Sequence, residues 1–323
     1  MPGARVTLGG HLLPVGGPRL PVARVGGSEA RIVLAGPNRL GLLVPDGLPC
    51  GPAAITVDQV EGEVWLEVGV PVATGVHQVD NPAIGPDGTL YVTYSGRRGQ
   101  QVPVSVFRVG PDGSREPWLS DIVNATSLVF DALGTLYVSS RFDGAVYRVK
   151  PDRSIDLMAG ELGVACGMAF ASDGTLFVGD RSGTVFRLGP SGRVIPFVSL
   201  PPSVVAYHLA IGPDDDLYVA GPTFNTRDRI YRISRLGDIH VLSEEFGRPQ
   251  GLAVDSVGHV YVVDAVAGGA GLYRVREGCP RELMLSAPAL VGVALDPRGG
   301  LVVSSNDTAF RLNVPLRPWL ARG

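Results

Sequence analysis

Two regularities predict an all-β fold, a six-bladed β-propeller preceded by a small β-sandwich. The first is a repeat: an apolar strand, a turn with Asp or Gly, and a second apolar strand, as in Met168-Ala169-Phe170, Asp173-Gly174 and Leu176-Phe177-Val178. Leu90, Leu136, Leu176, Leu217, Val260 and Leu301 hold equivalent positions in it, spaced by 46, 40, 41, 43 and 41 residues. The second is an aromatic-Arg-aliphatic triplet on the next strand of each unit, beginning at Phe107, Tyr147, Phe186, Tyr231, Tyr273 and Phe310. Four strands of about five residues plus turns fill a ~40-residue blade.

The elements follow in chain order. Residues 1 to 69 lack the repeat but hold short β-like runs punctuated by Gly and Pro, so a separate small domain is expected there, with the propeller over 70–323. Pro71-Val72-Ala73-Thr74 stands where Pro117-Trp118-Leu119-Ser120 stands before the second repeat, so the strand at 70–74 is expected to close the last blade. The tail Arg317-Pro318-Trp319-Leu320-Ala321 resembles the same segment and competes for that place. Asp87-Gly88 and Asp173-Gly174 fit tight hairpin turns, which need positive φ. The polar insertion from Ser95 to Gln101 accounts for the longest spacing; it and Thr223 to Asp228 are loops suited to covering a ligand or contacting the N-terminal domain. The six triplet arginines fall on six different blades, so they read as strand-pairing or stacking residues rather than a binding stripe.

Composition narrows the function classes. No run approaches the ~18 to 20 consecutive apolar residues of a membrane helix. Net charge is -3 and Lys150 is the only lysine, in a turn after a strand, which argues against nucleic-acid or membrane partners and against Schiff-base chemistry. Cys50, Cys166 and Cys279 are odd in number and far apart, unlike a disulfide framework or zinc cluster. With no visible secretory signal, a cytoplasmic protein is expected.

Gly251-Leu252-Ala253-Val254-Asp255, with Gly258 and Val260-Tyr261-Val262-Val263-Asp264, resembles the SMP-30/gluconolactonase and NHL-repeat propellers, a pattern that extends over residues 70 to 313. The N-terminal runs Val6 to Gly10, Val22 to Gly27, Leu40 to Pro45 and Gly51 to Val57 resemble the IPT/TIG family of immunoglobulin-like domains, which implies a sandwich used for spacing, docking or association. Lactonases of the first family bind a divalent cation, commonly calcium, through one Glu, two Asn and one Asp. The resemblance puts those ligands at Asp80, Thr126, Cys166 and Gln250, of which only Asp80 is a good substitute. A hard cation wants carboxylate or carbonyl oxygens rather than a thiol, so no cofactor is certain, and a divalent cation such as calcium is the candidate.

In a propeller, the starts of innermost strands and the ends of second strands meet at one rim. That brings Asp80, Asn81, Tyr207, His208 and Gln250 towards Tyr94, Arg141, Asp180, Arg181, Asp264 and Asn306, as a polar funnel or as residues that line a wet channel and cap strands. His208 replaces the glycine of equivalent repeats, Gly167, Gly251 and Gly292. It is the candidate general base with Asp80 as electrostatic partner, the alternative being a hydrogen-bonded channel residue. His77, just before Asp80, is a rim or loop residue, and Cys166 is a nucleophile only if a base beside it lowers its pKa. Arg141 and Arg181 sit at corresponding positions and suit an anion clamp, with Asp143 and Asp180 as competing salt-bridge partners.

These residues fit three functions. The leading one is a propeller that binds a small polar or anionic ligand, or a protein segment, at its polar rim, divergent from the metal-dependent lactonases. The second is a lactone- or ester-opening hydrolase using Asp80 and His208. The third is a structural association module.

Overall fold

The structure, a computed structural model, describes residues 1–110, 112–296 and 300–312. All of its regular elements are strands. The N-terminal segment contributes β1 (Arg5–Gly9), β2 (Ala23–Val25), β3 (Ser28–Ala30), β4 (Ile32–Gly36), β5 (Arg39–Leu43), β6 (Gly51–Val57) and β7 (Val64–Val68). They form two sheets, ordered β1-β5-β4 and β3-β2-β6-β7. Alternate residues of both sheets, among them Val25, Leu40, Leu42 and Ile55, bury a shared core, as half-buried strands with a period of two must.

After β8 (Val70–Ala73) come six antiparallel sheets, built mostly from consecutive strands. The first is β9 (Ala83–Ile84), β10 (Leu90–Thr93), β11 (Val106–Val109) and β12 (Arg115–Leu119); the second β13 (Ala125–Phe130), β14 (Leu136–Ser140), β15 (Ala145–Val149) and β16 (Ile155–Ala159). The third is β17 (Ala165–Phe170), β18 (Leu176–Asp180), β19 (Thr184–Leu188) and β20 (Val194–Ser199); the fourth β21 (His208–Ile211), β22 (Leu217–Ala220), β23 (Asp228–Ile233) and β24 (Ile239–Phe246). The fifth is β25 (Pro249–Val254), β26 (Val260–Asp264), β27 (Gly271–Val275) and β28 (Glu282–Ser286). The sixth takes β29 (Leu290–Asp296), β30 (Gly300–Ser305) and β31 (Ala309–Leu312), and its fourth strand is β8, which pairs antiparallel with β31 through Ala73 opposite Ala309. The tail from Arg317 to Ala321 lies outside the described residues.

The repeat phrase maps onto this order directly. Its equivalent aliphatic residues start the second strand of each sheet or lie one residue in, and the aromatic-Arg triplets lie on the third. Second strands such as β14 and β18 are buried along their whole length, because a neighbouring sheet covers each face. Successive sheets share apolar clusters, and the sixth and first do so as well, Ala294, Val302 and Ala309 packing with Leu90, Val92 and Val109. Gly88 and Gly174 turn the first and third sheets at φ of 79° and 83°, where a β-carbon would be strained. The triplet arginines are used within their own sheets: Arg148 meets Asp156 at 3.2 Å, Arg232 meets Asp216 at 2.6 Å and Arg274 meets Glu282 at 2.5 Å.

Candidate functional site

Strand register places one ring of residues near the starts of the six first strands. Met168 faces Val178, Leu209 faces Val219, Leu252 faces Val262 and Val293 faces Val303. The residues just before them, Gly167, His208, Gly251 and Gly292, are therefore equivalent. There is little room for side chains between adjoining strands at this level: a β-carbon on Gly167 would lie 2.5 Å from the Tyr207 carbonyl oxygen, and one on Gly292 would lie 2.7 Å from that of Asp80. Asn81 and Ser127 hold the same position in the first and second sheets, and His208 carries the largest side chain there. Its imidazole leaves the fourth sheet and reaches the segment leading into the first, where Nδ1 lies 2.6 Å from Asp80 Oδ1.

This pair is sealed, with His208 0% and Asp80 2% exposed. The Nδ1–H group donates to the carboxylate, which fixes the ring and leaves Nε2 for other partners. Nε2 is buried and has none among the described residues. Gln78, unmarked by any repeat, holds the pair from behind: its amide donates to the Asp80 carbonyl at 2.9 Å and its oxygen accepts the Thr93 N–H at 2.9 Å.

The residues equivalent to the lactonase ligands do not make a hard-cation site. One oxygen of Asp80 is taken by His208, the Thr126 hydroxyl donates to the Asn124 carbonyl at 2.8 Å, and the Cys166 thiol donates to that of Val164 at 3.1 Å. Gln250 is buried beside them. Among the described residues, no three His, Cys, Asp or Glu side chains are grouped to hold a metal. The sequence left Cys166 open as a nucleophile. Burial foremost, helped by the Asp80 charge, pushes its thiol up to about 12, which keeps it protonated and unreactive.

The other expected funnel residues mostly serve the fold. Asn81 donates to the Leu252 carbonyl at 2.9 Å and accepts the Val293 N–H at 3.0 Å, tying the first sheet's approach to the fifth and sixth sheets. The Tyr207 ring is fully buried and its hydroxyl donates to the Pro201 carbonyl. Asp180 accepts the Val164 N–H at 2.7 Å and the Ser182 hydroxyl. Asp264 accepts the N–H of Arg248 at 2.9 Å and pairs with Arg281. Asn306 is exposed, its carbonyl accepting the Gln78 N–H at 2.8 Å. These are strand-end and loop contacts that satisfy buried polar groups, a polar floor in which most of the expected funnel residues are already engaged.

Above that floor the structure gathers positive charge. Arg141 is partly buried just after β14, its Nη2 3.5 Å from the Gly96 carbonyl oxygen. Burial, and then the charge of Arg98, hold the Arg141 guanidinium below its ordinary value. Burial and the Arg141 charge likewise lower His77, whose ring stands edge-on to Tyr94 at 6.2 Å. Arg141 and Arg98 have no carboxylate at ion-pair distance among the described residues. Asp143 instead accepts from the Tyr147 hydroxyl at 3.1 Å, and Arg181, expected as the second half of a clamp, is exposed. Asn124, which the sequence did not single out, builds this rim. Fully buried, at φ 49°, it donates to the Arg97 carbonyl at 2.8 Å and accepts the Gly99 N–H at 2.7 Å, so the Ser95 to Gln101 loop is pinned to the second sheet.

At the other end of the first strands a second opening has a different character. Residues from β9, β13, β17, β21, β25 and β29 line a cavity of about 380 Å³, and Asn81 and Ser127 are its only polar side chains among the described residues.

Solved structures share this architecture. A gluconolactonase from Xanthomonas campestris is 17% identical, with 93% of this chain and 98% of that one covered and a TM-score of 0.63. The chain has a β-propeller fold. An auxiliary nutrient binding protein from Bacteroides ovatus is 15% identical, with 96% of this chain and 94% of that one covered and a TM-score of 0.55. A virginiamycin B lyase from Staphylococcus aureus, crystallised with quinupristin, is 13% identical, covering 96% and 99%, at 0.56. No protein-family model matches the chain, and neither does any curated protein sequence.

Proposed function

We propose that this chain is a six-bladed propeller, its ring closed by β8, behind an IPT/TIG-like domain over residues 1–69, and that its charged rim binds a small polar or anionic ligand. The packing of the sixth sheet on the first supports the closed ring, and the two sheets around one core support the immunoglobulin-like domain. The observation that carries the functional reading is the use of Asp80: its carboxylate is buried against His208 instead of joining a set of oxygen ligands. A ring that has given its one good cation ligand to an imidazole is poorly suited to calcium-dependent lactone opening. The structural neighbour described as a nutrient-binding protein shows that binding functions occur on this fold.

A second reading is favoured by the buried, unpartnered Nε2 of His208. In a hydrolase, the residues over His208 would have to part for substrate, after which Nε2 would take a proton from water as that water attacks a lactone or ester carbonyl, and would return it to the alkoxide when the C–O bond breaks. Asp80 would then position the ring and balance its charge. Metal content of the purified protein, melting with and without chelator, and a screen of sugar acids, sugars and lactones against wild type, Asp80→Asn and His208→Gln test these readings together. Ligand-dependent melting without turnover or metal supports binding. Turnover lost in both variants supports the hydrolase, and a near-stoichiometric, chelator-sensitive metal overturns the metal-free site.

A further inference from the structure

We infer that Arg141, Arg98 and His77 form an oxyanion subsite where the Ser95 to Gln101 loop meets the second sheet, so that the ligand carries a carboxylate, phosphate or sulfate group. The inference rests on the ligand-binding reading and gives it a chemical class. The first argument is convergence. Arg141 follows the second sheet's β14 and reaches the Gly96 carbonyl at 3.5 Å, His77 stands edge-on to Tyr94 two residues before that glycine, and Arg98 lies on the loop that Asn124 pins beside them. The second is imbalance. Guanidinium groups usually find carboxylates when partly buried, and the triplet arginines Arg232 and Arg274 do so here. Arg141 has only a long contact to a neutral carbonyl, and its charged neighbour is another arginine.

Like charges held together by a pinned loop work against the fold unless an anion offsets them. Repulsion here is maintained by specific bonds: the Asn124 carboxamide grips the loop at Ser95, Arg97 and Gly99. The Arg141 fork can deliver two N–H groups to one oxyanion, Arg98 adds a mobile third contact, and protonated His77 a fourth. The Cys166 thiol feels the charges of both Asp80 and Arg141, which puts the guanidinium and the Asp80–His208 pair in one neighbourhood. An anion held there would therefore place the rest of the ligand over the Asp80–His208 floor.

Sulfate and acetate, titrated at constant ionic strength while the His77 ring is followed by NMR, test the subsite; His77→Gln assigns the resonance. Saturable movement of His77 is expected. Arg141→Met should weaken sulfate by roughly tenfold or more, and Arg98→Met by a few fold, in line with charge-assisted hydrogen bonds. Arg181→Met should change nothing. Preference for sulfate marks a phosphate-like group, and equal or better acetate binding a carboxylate. If Arg141→Met does not fold, Arg141→Lys, which keeps the charge but loses the fork, should still bind more weakly than wild type. An unmoved His77, or unchanged affinity in Arg141→Lys and Arg98→Met, overturns the subsite. Should uncharged sugars or lactones still raise the melting temperature in that case, the ligand-binding reading stands without it; should nothing bind, both fail.

Discussion

Replacing Asp80 with alanine tests the feature on which both functional readings depend. In the native protein, Asp80 and His208 are 2% and 0% exposed and joined at 2.6 Å. Alanine leaves the imidazole buried with neither nitrogen bonded to a described side chain, since Nε2 already lacks a partner. Removing one member of a buried, hydrogen-bonded pair costs about 3–5 kcal/mol. At roughly 2–4 °C per kcal/mol for a domain of this size, the melting temperature should fall by about 6–20 °C. Asp80→Asn keeps an acceptor oxygen for Nδ1–H and should lose only about 1–2 kcal/mol. Glycine occupies the His208 position in three other sheets, so Asp80→Ala combined with His208→Gly removes both polar partners on a backbone that tolerates the change. The double variant should recover part of the loss, with a coupling of about 1–3 kcal/mol. The assay is thermal and urea unfolding of the parent, these three variants and His208→Gly alone, which completes the cycle. A loss below about 1 kcal/mol in Asp80→Ala would refute the reasoning, because a sealed pair cannot be broken so cheaply.

Three further outcomes follow from other parts of the structure. Cys50 and Cys279 are exposed and Cys166 is buried with its thiol pushed up to about 12, so a thiol reagent at pH 8 should label two cysteines quickly and the third only on unfolding. Asn124→Ala should cost about 1–3 kcal/mol by stranding the loop groups it now satisfies, and trypsin should then cut faster after Arg97 and Arg98. Burial and Arg141 hold His77 below its ordinary value, and a bound anion favours its protonated form. Sulfate affinity should therefore rise as pH falls through the His77 titration and level off below it, and His77→Gln should flatten the profile.

The sheets were legible because the signals that encode them are local and repeated. Leu90, Leu136, Leu176, Leu217, Val260 and Leu301 announce second strands buried on both faces, and each triplet aromatic announces a third strand. The Asp80–His208 relationship was legible in part: a histidine where glycine recurs is conspicuous, and an acid at the corresponding level of the first unit is its natural partner. Its burial was not, because how tightly strands of different sheets approach depends on how the sheets pack together and not on any one segment. Asn124 was hidden for a related reason. Its neighbours in sequence show an ordinary strand start, and its role arises only where the Ser95 to Gln101 insertion folds back onto the next sheet. Arg141 and Arg181 hold equal repeat positions but have unequal surroundings, because only Arg141 lies against the added Ser95 to Gln101 loop.

The same comparison of positions suggests how this floor diverges from a metal ring, and the divergence can be run backwards. Asp80 is blocked by His208, Thr126 bonds Asn124, and Cys166 offers sulfur where a hard cation needs oxygen. Combining His208→Gly with Thr126→Asn, Cys166→Asn and Gln250→Asp frees the Asp80 carboxylate and supplies two amide oxygens and a second carboxylate at the equivalent positions. If strand register alone decides what these positions face, the variant should gain calcium-dependent stability where the parent shows none. Calcium at about one hundred times its Kd would add about 2.7 kcal/mol, a rise of roughly 5–11 °C over the chelated variant. Calcium should raise the melting temperature of neither the parent nor a variant that retains His208. A quadruple variant that melts cooperatively but ignores calcium would mean that the ring's oxygens do not converge, and that His208 is not what separates this floor from a cation site.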